Sequence, residues 1–396
     1  MTDLTGGARM LAGLSFSLAP PGRIEFGAGA VHRLPAALRV LGQHRAFLVT
    51  DPGVAAAGIA DRVSTILADG GIEAAVFAEV EPNPSVGSLA AAAERSRDFG
   101  PAAVVPVGGG SSLDAAKGIA LLTVNGGDLA ALAYGSEPAR SAPPLVAVPT
   151  TAGTGAETNG FGVIADPAGC RKVYIGHPAL TPRVAILDPE LTVGLPASAT
   201  AATGTDALVH GVESLTSRGR NPVSEGYAHQ AIRLVHRWLP GAVADGTDLE
   251  ARANMLLGAH LAGLALTVSG LGLVHGIGHA VTAYTGATHG TALAAVLEPV
   301  LRFNAEGGSA AAYAGMSFDL GVGKSGAPVD RNAAATIAEL ERFTRQVGAY
   351  TTLRALGCTD RLVPDLARTA LADAVTGNNP RQPSEEQLTR LIRTAL

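Results

Sequence analysis

The chain has 396 residues, 47% hydrophobic, 16% charged and 4% aromatic, with a formal net charge of −5. That length accommodates two domains and a large core of Ala, Val and Leu, which excludes a disordered or low-complexity chain. A small, dispersed negative charge without a basic block leaves no electrostatic footprint for nucleic acid.

The N-terminal stretch "MTDLTGGARMLAGLSFSLAPPG" carries a short apolar patch after Arg9. Asp3, the single basic residue and the lack of a clear small-residue cleavage site argue against a signal peptide. No uninterrupted apolar run approaches the roughly 18–20 residues a membrane span needs. Cys170 and Cys358 are the only cysteines, which suits a reduced compartment better than a disulfide framework. A cytoplasmic protein is expected, with no membrane partner. "FGAGAVHRL" (26–34) comes near the glycine fingerprint of dinucleotide sites, but His32 stands where the third glycine belongs. It reads better as a glycine turn opening a helix.

Strand-like runs at 45–50, 73–80, 102–107 and 144–150 alternate with alanine-rich stretches of helical spacing. This alternation predicts a mainly parallel sheet covered by helices. Asp51 follows the first of these runs, just before Pro52. It fits an acceptor for an adenosine ribose that would favour NAD over NADP, and equally an ordinary strand-end aspartate.

In "AAVVPVGGGSSLDAAKGIALL" (102–122) a strand runs into Gly108, Gly109 and Gly110, then into Ser111 and a helix with Asp114 in its first turn. Such a turn lets backbone N–H groups approach a phosphate; a serine-capped βα turn without ligand is the alternative. "VPTTAGTGAETNG" (148–160) supplies four hydroxyls and three glycines after the next strand. Ligands of open parallel sheets bind beyond the carboxyl ends of the strands, so Thr150, Thr151 and Thr154 are expected to face the crevice with Ser111. Lys172 is one of only three lysines; it is a candidate for a specific task, although the composition bias also explains the rarity. After "VAILDPELTVGLP" (184–196) strand-like runs nearly vanish. The expected organisation is an α/β domain over 1–195 and an all-helical domain over 196–396, with "GVGKSGAPVD" (321–330) a loop between helices.

The helical half holds "TGTDALVHGVESL" (203–215) and "LVHGIGHAVTAYTGATHG" (273–290). Asp206 and His210 are four residues apart, as are His275 and His279, and His289 follows ten later. Each pair lies on one helical face. Either pair alone fits core packing, but both together with a third histidine predict a divalent metal site.

These residues resemble the iron-dependent (group III) alcohol dehydrogenases, and within them the branch containing lactaldehyde reductase, also called 1,2-propanediol oxidoreductase. The similarity runs through "PNP" (82–84), "GGGSSLDAAK" (108–117), "PTTAGTGAE" (149–157), "DPEL" (188–191), "TGTDALVHGVES", "GLGLVHGIGHAV", "HGTALAAVLEPVLRFN" and "TGNNPR" (376–381). The resemblance implies a dehydroquinate-synthase-like fold with an N-terminal parallel-sheet nucleotide domain and a C-terminal helical metal domain. It implies Asp206, His210, His275 and His289 as ligands of Fe²⁺, a set that also suits Zn²⁺, with His279 unligated and available for proton relay. Gly110, Ser111, Thr150, Thr151, Thr154, Lys172 and Leu191 match nucleotide-holding positions, and Gly109 and Asp114 belong to the same motif. Asp51 matches the position associated with NAD preference.

The implied reaction is hydride transfer between a small primary alcohol or aldehyde and NAD, in a homodimer or larger homo-oligomer. The chain departs from the branch at Leu266, Phe161 and Val375, where phenylalanine, a polar residue and cysteine are usual. A more apolar pocket is therefore expected, favouring unfunctionalised primary alcohols or longer aldehydes over lactaldehyde. A maleylacetate-reductase-like enzyme and a dehydroquinate-synthase-like cyclase share the fold. The full ligand set disfavours the first, and the scarcity of Lys and Arg in the central segments disfavours the second. A non-catalytic binding protein has little use for this ligand set alongside both nucleotide loops.

Overall fold

The computed structural model describes residues 15–18, 22–85, 87–126, 133–134, 142–166 and 169–396. Eight strands are described: β1 (Arg23–Phe26), β2 (Arg45–Val49), β3 (Glu73–Phe77), β4 (Ala103–Gly108), β5 (Val146–Pro149), β6 (Phe161–Asp166), β7 (Arg171–Gly176) and β8 (Val184–Leu187). Six form a parallel sheet in the order β1-β8-β5-β4-β2-β3, and β6 and β7 form a separate antiparallel pair. The central strands β4, β5 and β8 are buried along their whole length, as strands covered on both faces must be. The helices α1 (Leu34–Val40), α2 (Pro52–Ala56), α3 (Ile59–Asp69), α4 (Leu89–Phe99) and α5 (Gly110–Asn125) connect these strands. Val31, Leu38, Val63 and Leu67 fill one apolar layer against the sheet, and Phe47, Leu89, Ala92 and Ile119 fill another.

From Ala197 onward the described chain is helical: α6 (Ala197–Thr216), α7 (Pro222–Ala244), α8 (Leu249–Ser269), α9 (Leu273–Thr285), α10 (His289–Asn304), α11 (Ala310–Asp319), α12 (Val329–Gln346), α13 (Val363–Ala372) and α14 (Glu385–Thr394). One apolar cluster running from Ala201 to Ala395 holds them together. The segment 321–330 lies mostly in the connection between α11 and α12, as expected. The glycine turn at 26–34 also follows expectation. Gly29 takes φ +73° before a 3₁₀ turn and α1. The N–H groups of Gly29 and Val31 donate to the carboxylate of Asp188, at 3.2 and 3.0 Å, so they serve a protein carboxylate in place of a phosphate.

The two halves meet at small residues. A Cβ added to Gly155, which has φ +61°, would lie 2.5 Å from Gly263 Cα on α8. Beside this contact Glu157 pairs with His260 at 3.0 Å and Thr158 with Thr267 at 3.1 Å, through buried or part-buried bonds. No single described helix is long and apolar enough to cross a membrane.

Candidate metal centre and nucleotide cleft

The strands β2, β4 and β5 end side by side, with Val49 opposite Pro106 and Gly108 opposite Pro149. The turns that follow therefore share one edge. Asp51 caps α2 through Oδ1, which accepts from Gly53 and Val54 N–H at 3.0 Å each, while Oδ2 accepts from the Ser112 hydroxyl at 3.0 Å. Added Cβ atoms at Gly109 and Gly110 would stand 3.2 and 2.6 Å from the methyl groups of Thr151 and Thr154. These glycines let the hydroxyl loop settle directly on the start of α5. Among the described residues no side chain caps α5, which leaves its first N–H groups to meet an anion.

The Lys172 ammonium donates to Asn83 Oδ1 at 3.0 Å, and Asn83 N–H donates to Ser111 Oγ at 3.4 Å. This chain of contacts brings the "PNP" turn and β7 to the same cleft. Thr150 and Leu191 are buried. Asp114 is turned away towards β6: one oxygen pairs with Lys117 at 3.3 Å and the other accepts from Val163 N–H at 3.0 Å. Lys117 is fully buried and also donates to the carbonyls of Ala156 and Phe161 and to Asn159 Oδ1. Burial pushes Asp114 up and Lys117 down, each against the pull of its partner.

In the helical half, α6 presents Asp206 and His210, α9 presents His275 and His279, and His289 opens α10. The Nε2 atoms of His210, His275 and His289 lie 3.2, 3.4 and 3.7 Å from Asp206 Oδ1. Asp206, His210 and His275 offer donor atoms all within 4.8 Å of one another. Asp206 Oδ1 and His275 Nε2 are buried without a hydrogen-bond partner among the described residues, which is how groups reserved for a cation look without it. Burial opposes the charge on Asp206, but the surrounding imidazoles outweigh it and hold the carboxyl well below its usual range. Burial pushes His210 down to about 4 and His289 well below the ordinary histidine range. Burial acts the same way on His275, yet Glu213 and Asp206 override it and raise the ring to about 9. The donor set of three imidazoles and a carboxylate therefore fits a divalent metal.

The sequence reading missed Glu213. Its Oε2 lies 2.6 Å from His275 Nδ1, and it also accepts from the N–H groups of Gly272 and Val274, at 3.0 and 2.7 Å. One carboxylate thus caps α9 and turns His275 Nε2 inward. It sits three residues beyond His210 on the same helix, a spacing that was available to find it. Asp373 and Tyr174 were missed too, and both touch His279. The ring of Phe161 meets Tyr174 and Tyr134 edge-on, at 6.5 and 5.7 Å between centroids, so aromatic surface adjoins His279. Leu266 is buried near the end of α8, and the N–H of Val375 donates to Asp373.

Residues 21–189 match the family model described as iron-containing alcohol dehydrogenase, and residues 200–396 match the Fe-containing alcohol dehydrogenase family, C-terminal. The chain belongs to the iron-containing alcohol dehydrogenase family. It is 34% identical to the NAD-dependent methanol dehydrogenase of Bacillus methanolicus, over 95% of this chain and 98% of that one. It is 36% identical to the 1,3-propanediol dehydrogenase of Citrobacter freundii, over 93% and 96%. A crystal structure of 1,3-propanediol oxidoreductase superposes with a TM-score of 0.93 at 35% identity, covering 97% of this chain and all of that one. Sulfoacetaldehyde reductase from Bifidobacterium kashiwanohense, solved with NAD⁺, gives 0.86 at 29%, covering 97% and 99%. These likenesses establish the dehydroquinate-synthase-like fold and an NAD-dependent, iron-type oxidoreductase acting on alcohols and aldehydes.

Proposed function

We propose that Asp206, His210, His275 and His289 hold the metal of this alcohol dehydrogenase, and that His279 relays the proton. We further propose that NAD lies over the turns at Asp51, Gly109–Ser111 and Thr150–Thr154, with Lys172 and Leu191 beside it. The convergence of three imidazole Nε2 atoms on a buried carboxylate oxygen with no hydrogen-bond partner among the described residues carries this reading. A metal held there would supply Lewis acidity for an alcohol oxygen, with NAD as the hydride acceptor. The protein's own part is to orient and to move a proton. Glu213 fixes His275, the uncapped start of α5 receives the nucleotide phosphates, and His279 Nε2 takes the hydroxyl proton towards solvent. Asp114, held by Lys117 and Val163, acts on the nucleotide by shaping the cleft wall. The Asp51 carboxylate would repel a 2′-phosphate, which favours NAD over NADP.

Relatives named as dehydrogenases of methanol, 1,3-propanediol, choline and 4-hydroxybutyrate belong to the same family, so family membership leaves the substrate open. Phe161, Leu266 and Val375 support an apolar pocket. The specificity constant kcat/KM is expected to be higher for butanol and hexanol than for propanediol, and steady-state assays on that series decide it. The nucleotide half is taken to end near residue 195 and the metal half to begin at 196. We place the enzyme in the cytoplasm, in keeping with only two cysteines. We also expect a homodimer or larger homo-oligomer. The outer edge of β1 has no partner among the described residues, and Ile24 and Phe26 on it are 43% and 38% exposed.

The deciding experiment is metal analysis of anaerobically purified protein, with NAD reduction assayed on primary alcohols before and after chelation. About one metal per chain, with activity lost on chelation and restored by Fe²⁺ or Zn²⁺, supports the assignment. Full activity in metal-free protein overturns it and favours a maleylacetate-reductase-like enzyme.

A further inference from the structure

Three polar side chains from distant parts of the chain meet beside the metal donors. Tyr174 comes from β7, His279 from α9 and Asp373 from the end of α13. Asp373 Oδ2 lies 2.9 Å from His279 Nδ1, and its Oδ1 accepts from the Tyr174 hydroxyl at 3.0 Å and from Val375 N–H at 3.1 Å. The Tyr174 hydroxyl is also 3.4 Å from His279 Nδ1. Burial works against the charge on Asp373, but the bond from His279 and the other donors outweigh it and keep its carboxyl below the usual range. Burial, reinforced by Asp373, pushes the Tyr174 phenol far above its ordinary value, so it stays a donor.

An ionised carboxylate only accepts hydrogen bonds, so the proton between Asp373 and His279 belongs to Nδ1. A neutral ring protonated at Nδ1 keeps its lone pair on Nε2. The hydrogen bonds of His279 to described side chains run through Nδ1, and the ring stacks on His289 with 5.3 Å between centroids. We propose that Asp373 is a positioning residue that holds His279 in the Nδ1–H tautomer with Nε2 facing the reacting hydroxyl, and that Tyr174 locks the carboxylate in place from the opposite half of the molecule. The proposal rests on the proton-relay reading of His279. Its geometric consequence is specific: Tyr174 reaches Asp373 only when the sheet half and the helical half stand at the spacing seen here.

The test uses zinc-loaded holoenzyme labelled with ¹⁵N-histidine, in which long-range ¹H–¹⁵N correlations separate the two tautomers and His279→Gln assigns the signal. Wild type is expected to show Nδ1–H at His279. In Asp373→Asn the amide N–H₂ donates to Nδ1 and moves the ring proton to Nε2. The turnover number should then fall roughly 10²–10⁴-fold, as for other aspartate–histidine pairs so altered, with KM for alcohol and Kd for NAD nearly unchanged. Tyr174→Phe leaves the carboxylate as acceptor but less firmly held, so the Nδ1–H signal should persist while kcat falls about tenfold, a loss on the scale of one hydrogen bond to a charged group. An unchanged Nδ1–H signal in Asp373→Asn overturns the proposal. So does a kcat loss matched by equal losses of NAD affinity and melting temperature, which marks a structural role. Wild-type kcat in His279→Gln overturns the relay reading itself, whatever the tautomer signal shows.

Discussion

Glu213 reads as a structural cap from one side and as part of the proposed metal site from the other, because the same carboxylate accepts from His275 Nδ1 and from two N–H groups at the start of α9. Glu213→Gln keeps the shape but turns one acceptor into a donor facing a donor. Metal affinity is expected to drop about 10–100-fold, as for other residues that orient a ligating histidine, while kcat of fully loaded enzyme changes less. Competition with a chromophoric chelator measures this, and an unchanged affinity would assign Glu213 to helix capping alone. At this scale the sequence was informative wherever one helix supplied two residues: Asp206 with His210, and His275 with His279. Glu213 continues the first of those faces and was legible in principle. Asp373 was not, because Tyr174 stands 199 residues away and only tertiary folding brings them together.

Elements that follow one strong period were readable, and those defined by contact with a neighbour were not. Four of the six sheet strands, β2 to β5, announced themselves as apolar runs, and their boundaries fell within about three residues of expectation. The pair β6–β7 escaped, because Phe161, Val163, Val173 and Tyr174 put apolar side chains on faces that only α5, α9 and the cleft account for. Lys117 anchors that pair to α5 from a fully buried position, which no spacing rule predicts. The contact of the 150–158 loop with α8 is equally invisible in sequence, since Gly155 and Gly263 look like any other glycines. A Cβ at Gly263 would stand 2.7 Å from Gly155 Cα, where backbone has no rotamer with which to yield. Gly263→Ala is therefore expected to cost about 1–3 kcal/mol, read by urea denaturation. Because Thr151 and Thr154 sit on the same loop, KM for NAD should rise with it. A stability loss without any change in KM would separate the packing contact from the nucleotide loop.

For the molecule as a whole, the described strands all precede Ala197 and the described elements beyond it are helices, and the four proposed metal donors fall in that second part. Their electrostatics belong to the folded state alone. The unfolded chain has no convergent site, whereas the native one buries Asp206 Oδ1 and His275 Nε2 without partners among the described residues. Such groups each cost about 1–3 kcal/mol when left unsatisfied, so the metal-free protein should be the less stable form. A metal that binds only the native state adds RT ln(1 + [M]/Kd), which is about 4 kcal/mol at a thousandfold excess over Kd. Protein stripped by chelation and titrated with Fe²⁺ under anaerobic conditions, or with Zn²⁺, should melt at a temperature that climbs with the logarithm of metal concentration. His289→Ala removes one donor at the most exposed side of the cluster and should move that curve to higher metal concentration without lowering the melting point of the stripped protein. A stripped protein that melts at the same temperature at every metal concentration would mean that the four donors meet for packing alone. The dehydrogenase activity would then have to proceed without a metal bound by these residues.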